Sequence, residues 1–397
     1  MRKIENFIIF ALAAHGKGLS GSDRIFIELS RRWSKLFPVT IYLWNEGLVM
    51  CKAQHLNDSG VIFCVSNIKS RQNLGFLINY CQRIFEGIKI GLTLKIENKD
   101  SIYIYSASDF WMDCLPAFFL KLRFPKIRWV GSWYLTAPNP YQAFMIRKKI
   151  DLALLRLLVY FFMQQPVYLI LEKFADIIFV TSDPDSKRFP KQLERKEIVV
   201  VRGGVNFSKD HFKRKNIRKI YDAVFQGRFH PQKGVIELID IWRLVVNELK
   251  SAKLIMLGDG PLMKNVIEKI KKLKLRNNIK LTGYLFDGDK KNKIFSESKI
   301  FVHPVIYDSG GMAAAEGMAF GLPAVGFDLE SLKSYYPVGM LKVPLNNQKA
   351  FADSITSLLT NKKLYNNISN QAIKHIRSYW DWDVRSKEIL NQISKIN

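Results

Sequence analysis

Apolar, β-branched-rich runs alternate with stretches of helical period along most of the chain. Phe7–Ala13, Val39–Trp44, Ile102–Tyr105, Arg128–Gly131, Ile177–Thr181 and Ile198–Val201 read as strands. A second series follows at Tyr221–Gln226, Lys253–Leu257, Ile279–Thr282, Ile300–His303 and Ala324–Phe327. Between them Val235–Leu249, Leu262–Leu273 and Gly311–Phe320 carry helical patterns, and Ser22–Leu36 puts Ile25, Phe26, Leu29 and Trp33 on one face. Such alternation predicts α/β architecture with parallel sheets covered on both faces. The runs are too many for one ordinary sheet, so two doubly wound, Rossmann-like domains are expected. The turn-rich Arg202–Asn206 and the basic run Lys209–Lys219 mark the break, giving domains at 1–205 and 206–375 and a helical tail at 376–397.

Two segments suggest export or membrane contact. Arg2 and Lys3 precede an apolar run, as in a signal peptide, but Glu5 and Asn6 interrupt the transition. A Gly-rich stretch and an amphipathic helix come next, the opening of a nucleotide-binding-type domain. Leu152–Leu171 is apolar enough to span a bilayer, yet it contains Arg156, and Gln164-Gln165-Pro166 is expected to break it. A buried helix pair and a monotopic surface patch both remain open for it. Lys121, Arg123, Lys126, Arg128, Arg147, Lys148, Lys149 and Arg156 interleave with Trp129, Trp133, Tyr134, Tyr141 and Phe144, a combination suited to an anionic bilayer surface.

Charge sharpens the choice of partner. Lys plus Arg number 61 against 35 Asp plus Glu, a net +26, so a partner bearing negative charge is expected. The basic residues are spread through both halves and no nucleic-acid recognition module is visible, so no nucleic acid is expected. Cys51, Cys64, Cys81 and Cys114 lack C-x-x-C spacing and read as free thiols.

Three segments of the second half carry candidate chemistry. In Phe225–Gly234 a strand ends at Gln226, Gly227 permits a turn, and Arg228 and Lys233 bring two cations to the strand's carboxyl end. That edge is where open α/β sheets bind ligands, and two cations beside a helix start suit a diphosphate. In Leu254–Leu262 a strand runs into Gly258-Asp259-Gly260-Pro261, with Pro261 expected to start a helix. In Val302–Val325 a strand leads to Asp308-Ser309-Gly310-Gly311, followed by a helix of small residues stopped by Gly321 and Pro323. Gly310 and Gly311 would let a phosphate approach the free N–H groups of that helix. Glu316 lies about one and a half turns along it, amid alanines, within reach of ribose hydroxyls beside the phosphates.

These segments, in this order, resemble the C-terminal domain of the family-4 retaining glycosyltransferases of GT-B fold. The matching residues are Gly227, Arg228, Lys233 and Gly234; Gly258, Gly260 and Pro261; then Asp308, Glu316, Gly321 and Pro323. The resemblance covers residues 220–330 well and the rest loosely. It implies two domains facing a cleft, with a nucleoside-diphosphate sugar as donor. Arg228 and Lys233 would neutralise the departing diphosphate, and Asp308 stands where the family usually has a Glu. Gly310, Gly311 and Met312 would offer backbone N–H groups, and Glu316 would bind the ribose. The loop Gly16–Arg24, with Gly18 and Gly21, resembles the family's donor-facing glycine loop, and the tail near Tyr379-Trp380 its helix returning to the first domain. Retention of configuration is implied, and a cation-lined site needs no metal, so no metal or other cofactor is expected. Trp133 and Tyr134 stand where many members have a His, and with His15 and Asp109 they are the candidates for acceptor contact. The basic, aromatic first domain suggests a polyprenyl-diphosphate-linked or glycolipid acceptor at the cytoplasmic membrane face, in surface-polysaccharide or lipopolysaccharide assembly. A sugar-nucleotide epimerase, a phosphorylase or a basic nucleic-acid binder are the alternatives. Base and sugar selectivity are expected to depend on the loop Gly283–Gly288.

Overall fold

The computed structural model describes residues 4–15, 19–67, 75–97, 101–142, 152–195, 197–207, 217–308 and 310–396. The chain divides into two compact units, Met1–Gly203 with Asp383–Asn397, and Gly204–Trp382.

The first unit is built on strands β1 (Asn6–Phe10), β2 (Val39–Leu43), β3 (Ile62–Val65), β4 (Ile102–Ser106), β5 (Arg128–Trp133), β6 (Ile177–Val180) and β7 (Ile198–Val200). They form a parallel seven-stranded sheet in the order β3-β2-β1-β4-β5-β6-β7. Register is set by pairs such as Ile8↔Thr40, Phe7↔Tyr103 and Val130↔Ile177. Helices α1 (Gly21–Trp33), α2 (Asn45–Ala53), α3 (Phe76–Thr93), α4 (Trp111–Arg123) and α5 (Leu152–Phe174) connect them. A capping box opens α1: Asp23 N–H donates to Ser20 Oγ and Ser20 N–H to Asp23 Oδ2.

The second unit carries β8 (Tyr221–Gln226), β9 (Leu254–Leu257), β10 (Ile279–Leu281), β11 (Ser298–His303), β12 (Ala324–Phe327) and β13 (Met340–Val343). Their order is β10-β9-β8-β11-β12-β13, again all parallel. Helices α6 (Val235–Glu248), α7 (Met263–Lys272), α8 (Asp289–Ser296), α9 (Met312–Ala319), α10 (Glu330–Tyr335), α11 (Gln348–Thr360) and α12 (Lys362–Tyr379) belong to this unit, and α13 (Trp382–Lys395) runs into the first. Both sheets reverse direction beside their first strand, so each has a switch point at its carboxyl edge, between β1 and β4 and between β8 and β11. The doubly wound α/β fold expected from the strand–helix alternation is thus present in both units.

Two strands escaped the sequence reading, β3 and β13, and both lie at sheet edges. An edge strand is only partly covered. Ile62 in β3 is 55% exposed, and in β13 the two middle residues, Leu341 and Lys342, are only half-buried. β13 is interrupted by Lys342, whereas β3, Ile62-Phe63-Cys64-Val65, is apolar throughout and differs from the central strands in its exposure.

Helix α5 corrects a second expectation. It runs through Gln164-Gln165-Pro166 without a break. Pro166 removes one N–H donor without ending the helix; beside it Gln165 Nε2 donates to Phe161 O at 2.8 Å, and Gln164 Nε2 ties the helix to Leu135 O at 2.8 Å. Val167 and Leu171 pack into the sheet, while Leu155, Val159, Phe162 and Leu169 face outward and are about half or more exposed. The helix is long and apolar enough to cross a membrane, and most of it is not covered by the rest of the unit.

The aromatic surface patch expected around β5 is largely interior. Trp129, Trp133 and Tyr134 are buried because β5 is covered on both faces. Trp129 Nε1 donates to Ser106 Oγ, and the Trp133 ring meets Tyr168 and Phe189 edge-on. Nearby cations are also engaged: Lys121 ion-pairs with Asp176 at 2.8 Å, and Arg123 donates to the carbonyls of Gly91 and Leu94. Tyr141 is exposed; Phe144 and Arg147–Lys149 lie outside the described residues.

Candidate active site

The three motif segments occupy the carboxyl edge of the second sheet, at its switch point. Each is anchored to the next by backbone. Gly227 N–H donates to Leu257 O, Phe229 N–H to Asp259 O, Leu262 N–H to Phe229 O, and Ile306 N–H to Gln232 O. The glycines are required by this closeness. A Cβ on Gly258 (φ +147°) would fall 1.9 Å from Gly227 O, and one on Gly234 (φ +62°) 1.9 Å from Pro304 O.

Side chains complete the knot. Lys233, in the turn after β8, ion-pairs with Asp308, after β11, at 2.5 Å. Asp308 O also accepts a hydrogen bond from Ser331 Oγ at 2.6 Å. Glu316 on α9 accepts from Gln226 Nε2, the last residue of β8, at 2.9 Å, and ion-pairs with Lys291 on α8. Lys233, Asp308 and Glu316 thus converge on one end of β8 and β11, and Arg228, exposed, directly follows Gln226 and Gly227. Met312 opens α9 with Gly311 as its N-cap. Pro261 does not start a helix: it lies in the turn before α7, which begins at Met263.

Gly310 and Gly311 have a packing role beside the expected ligand role. Their hydrogens abut the Tyr335 ring and the His303 imidazole; a Cβ at either would come within 2.6 Å. Tyr336 Oη donates to Gly311 O at 2.7 Å and accepts from Ala315 N–H at 3.1 Å, fixing the helix start.

His303 ends β11 directly beneath that start, and it was not singled out from sequence. It is 2% exposed, and neither ring nitrogen has a hydrogen-bond partner among the described residues. Burial pushes it down to about 4, with Asp308 pulling up and Lys233 pushing down. An unfolded chain binds a proton there below about pH 6.5, which the folded one refuses until about pH 4. The second unit therefore loses stability as pH falls through that window, by up to about 3 kcal/mol. Denaturant unfolding at pH 7 and pH 4.5 should show a smaller pH difference in His303→Leu than in the parent; an equal difference would exclude His303 as the titrating group.

In the first unit the expected acceptor residues separate. Trp133 and Tyr134, 1% and 6% exposed, offer almost no surface, and the Tyr134 hydroxyl pairs with that of Tyr105 at 2.5 Å. Asp109 is buried, accepting from Gln164 Nε2 and Tyr160 Oη, so it anchors α5. Burial raises its carboxyl above the ordinary range. His15 is exposed, with Nδ1 2.9 Å from Ala13 O. Gly21 is the first residue of α1, and Gly18 lies outside the described residues. Asp113 went unnoticed in the sequence. It accepts from Ala13 N–H and Ser108 Oγ at the sheet's carboxyl edge, and burial pushes it up to about 7.

The expectation of no metal passed over three Asp-x-Asp spacings, at Asp183–Asp185, Asp287–Asp289 and Asp381–Asp383. Asp185 accepts from Thr136 and Ser182, and Asp287 pairs with Lys291. No metal-holding group of three His, Cys, Asp or Glu occurs among the described residues.

Residues 206–375 match the family Glycosyl transferases group 1. Over 172 residues the chain is 28% identical to an uncharacterized glycosyltransferase of Methanocaldococcus jannaschii, covering 42% of this chain and 43% of that one. It is 27% identical over 163 residues to the poly(glycerol-phosphate) alpha-glucosyltransferase of Bacillus subtilis, covering 40% and 24%. The chain thus spans less than half the length of these curated relatives. The crystal structure of Anabaena HepE in complex with UDP and glucose superposes with a TM-score of 0.70 at 14% identity, over 99% of this chain and 100% of that one. The architecture is therefore that of the GT-B glycosyltransferases, and the second unit holds the stretch that matches the group 1 family.

Proposed function

We propose that the protein is a glycosyltransferase that moves a sugar from a nucleoside-diphosphate donor to a membrane-associated acceptor, with retention of configuration and without a metal. The observation that carries this reading is the convergence of Lys233, Asp308 and Glu316 at one switch point. An acceptor hydroxyl attacks the anomeric carbon, the bond from that carbon to the diphosphate oxygen breaks, and the hydroxyl proton passes to the departing diphosphate. Negative charge grows on that leaving group. Arg228, Lys233 and the start of α9 stabilise it there, and they cost no reorganisation at the moment of reaction. Glu316 holds the ribose. The UDP and glucose bound in Anabaena HepE, and the polymeric phosphate named as acceptor of the B. subtilis relative, support a donor and an anionic acceptor of these classes.

The acceptor is a lipid-linked sugar at the cytoplasmic face of the membrane, in cell-surface polysaccharide or lipopolysaccharide assembly. The reading rests on the outward apolar face of α5 and the net +26. A thermal-shift screen of nucleoside-diphosphate sugars tests the donor half: a ligand at 100 times its dissociation constant adds about 2.7 kcal/mol, and no response to any of them rejects it. Flotation with anionic vesicles tests the membrane half. Binding should weaken in Val159→Glu with Phe162→Glu, and parent protein that stays unbound at low salt rejects the surface.

A further inference from the structure

Lys291 lies on α8, outside all three motif segments, and its side chain is 7% exposed. A lysine this deep loses several kcal/mol of hydration unless it is paired. Two carboxylates pair with it: Glu316, and Asp287 at 2.6 Å one turn back on the same helical approach. Gln226 Nε2 donates to the same Glu316 oxygen, Oε2, that Lys291 reaches. Glu316 is thus held by donors from two different elements, the end of β8 and α8.

Two donors converging on one carboxylate oxygen hold that oxygen in place and restrict the turning of the group. A ribose presents two neighbouring hydroxyls at a fixed spacing. An acceptor that takes hydrogen bonds from both must be oriented before the ligand arrives, or the ordering cost falls on binding. We propose that Lys291 is a positioning residue for nucleoside recognition: with Gln226 it orients Glu316 to accept both hydroxyls of a ribose, and so makes the site select ribonucleoside over 2′-deoxyribonucleoside diphosphates. This rests on Glu316 as the ribose ligand, as proposed above. The discrimination comes from the fixed carboxylate. A deoxyribose leaves one of its acceptor directions unfilled in a partly buried site, and an unmet acceptor there is costly.

The test is calorimetric titration of UDP, ADP and GDP, each beside its 2′-deoxy counterpart, into the full chain. The parent should bind one ribonucleotide about tenfold or more tighter than its deoxy partner. Lys291→Met should weaken the ribonucleotide about ten- to hundredfold and bring the ratio toward one. Lys291→Arg, which keeps a cation between the two carboxylates, should keep a ratio above that of Lys291→Met. A lysine needed only for folding would lower the melting temperature without moving the ratio, and Lys291→Gln, smaller in its disturbance, gives the same readout should Lys291→Met fail to fold. A folded Lys291 variant without the cation that keeps the parental ratio overturns the inference while leaving the donor site standing. Failure of the parent to bind any of the three ribonucleotides, or unchanged binding in Glu316→Ala, removes the donor-site reading and this inference with it.

Discussion

Lys233→Met is expected to lower kcat by about 10²–10³, because it deletes a cation aimed at charge that appears only as the diphosphate departs. Steady-state assay with a nucleoside-diphosphate sugar is the measurement. The pair with Asp308 sharpens the expectation. Before donor arrives, Lys233 is held by Asp308 at 2.5 Å, and the two side chains are 24% and 13% exposed. Removing the ammonium leaves a half-buried carboxylate facing the incoming phosphates, so repulsion adds to the lost attraction. Lys233→Met with Asp308→Asn should therefore recover part of the loss, and the two changes should be markedly non-additive. Lys233→Arg keeps the charge and should fall between parent and Met. Parental kcat in Lys233→Met would remove Lys233 from the leaving-group role.

Gly258→Ala should destabilise the second unit by about 3–4 kcal/mol. Two causes combine. At φ +147° an L-residue is strained, and its Cβ would lie 1.9 Å from Gly227 O, a backbone atom that cannot swing aside. That carbonyl also belongs to the loop that carries Arg228. Relief of the clash would displace the cation as well, so donor affinity should drop with stability. Gly283→Ala is the control. It too has positive φ, +72°, but nothing lies within 4 Å of its Cβ, so it should cost only about 1–2 kcal/mol. Denaturant midpoints compare the two; equal losses would mean that φ alone, and not the close approach, sets the cost.

The difference between these glycines shows what could be read from residues alone. The alternation of apolar runs and helices disclosed two parallel sheets, because central strands are covered on both faces and so read as unbroken apolar stretches. β13 gave no such run because Lys342 interrupts it; β3 is a four-residue apolar run at an edge where water reaches it, and the alternation did not single it out. Spacing also located Gly258 as a turn, but not that its neighbour is the Gly227 carbonyl, a contact across two strands. In the site, residues with a motif stood out: Arg228, Lys233, Asp308 and Glu316. Lys291 and Gln226 did not, because each is an ordinary polar residue until the fold brings it to Glu316. A faint signal existed for Lys291, four residues after Asp287 at the start of a helix. His303 was hidden in a strand that looked simply apolar. The opposite error occurred at Trp133 and Tyr134, where aromatics among cations looked like surface, yet a central strand took them inside.

The chain enters and leaves the second unit at adjacent points. Val205 N–H donates to Trp380 O, Trp382 N–H donates to Val205 O, and the Gly204 backbone lies against the Trp382 ring. Past Trp382 the chain rejoins the first unit, where Trp33 Nε1 donates to Ser386 O and Arg32 pairs with Asp383 at 2.7 Å. During synthesis, then, the second unit emerges whole while the first still lacks its closing helix. The first unit, begun earlier, gains its contacts with Asp383–Asn397 only after the second unit has been made.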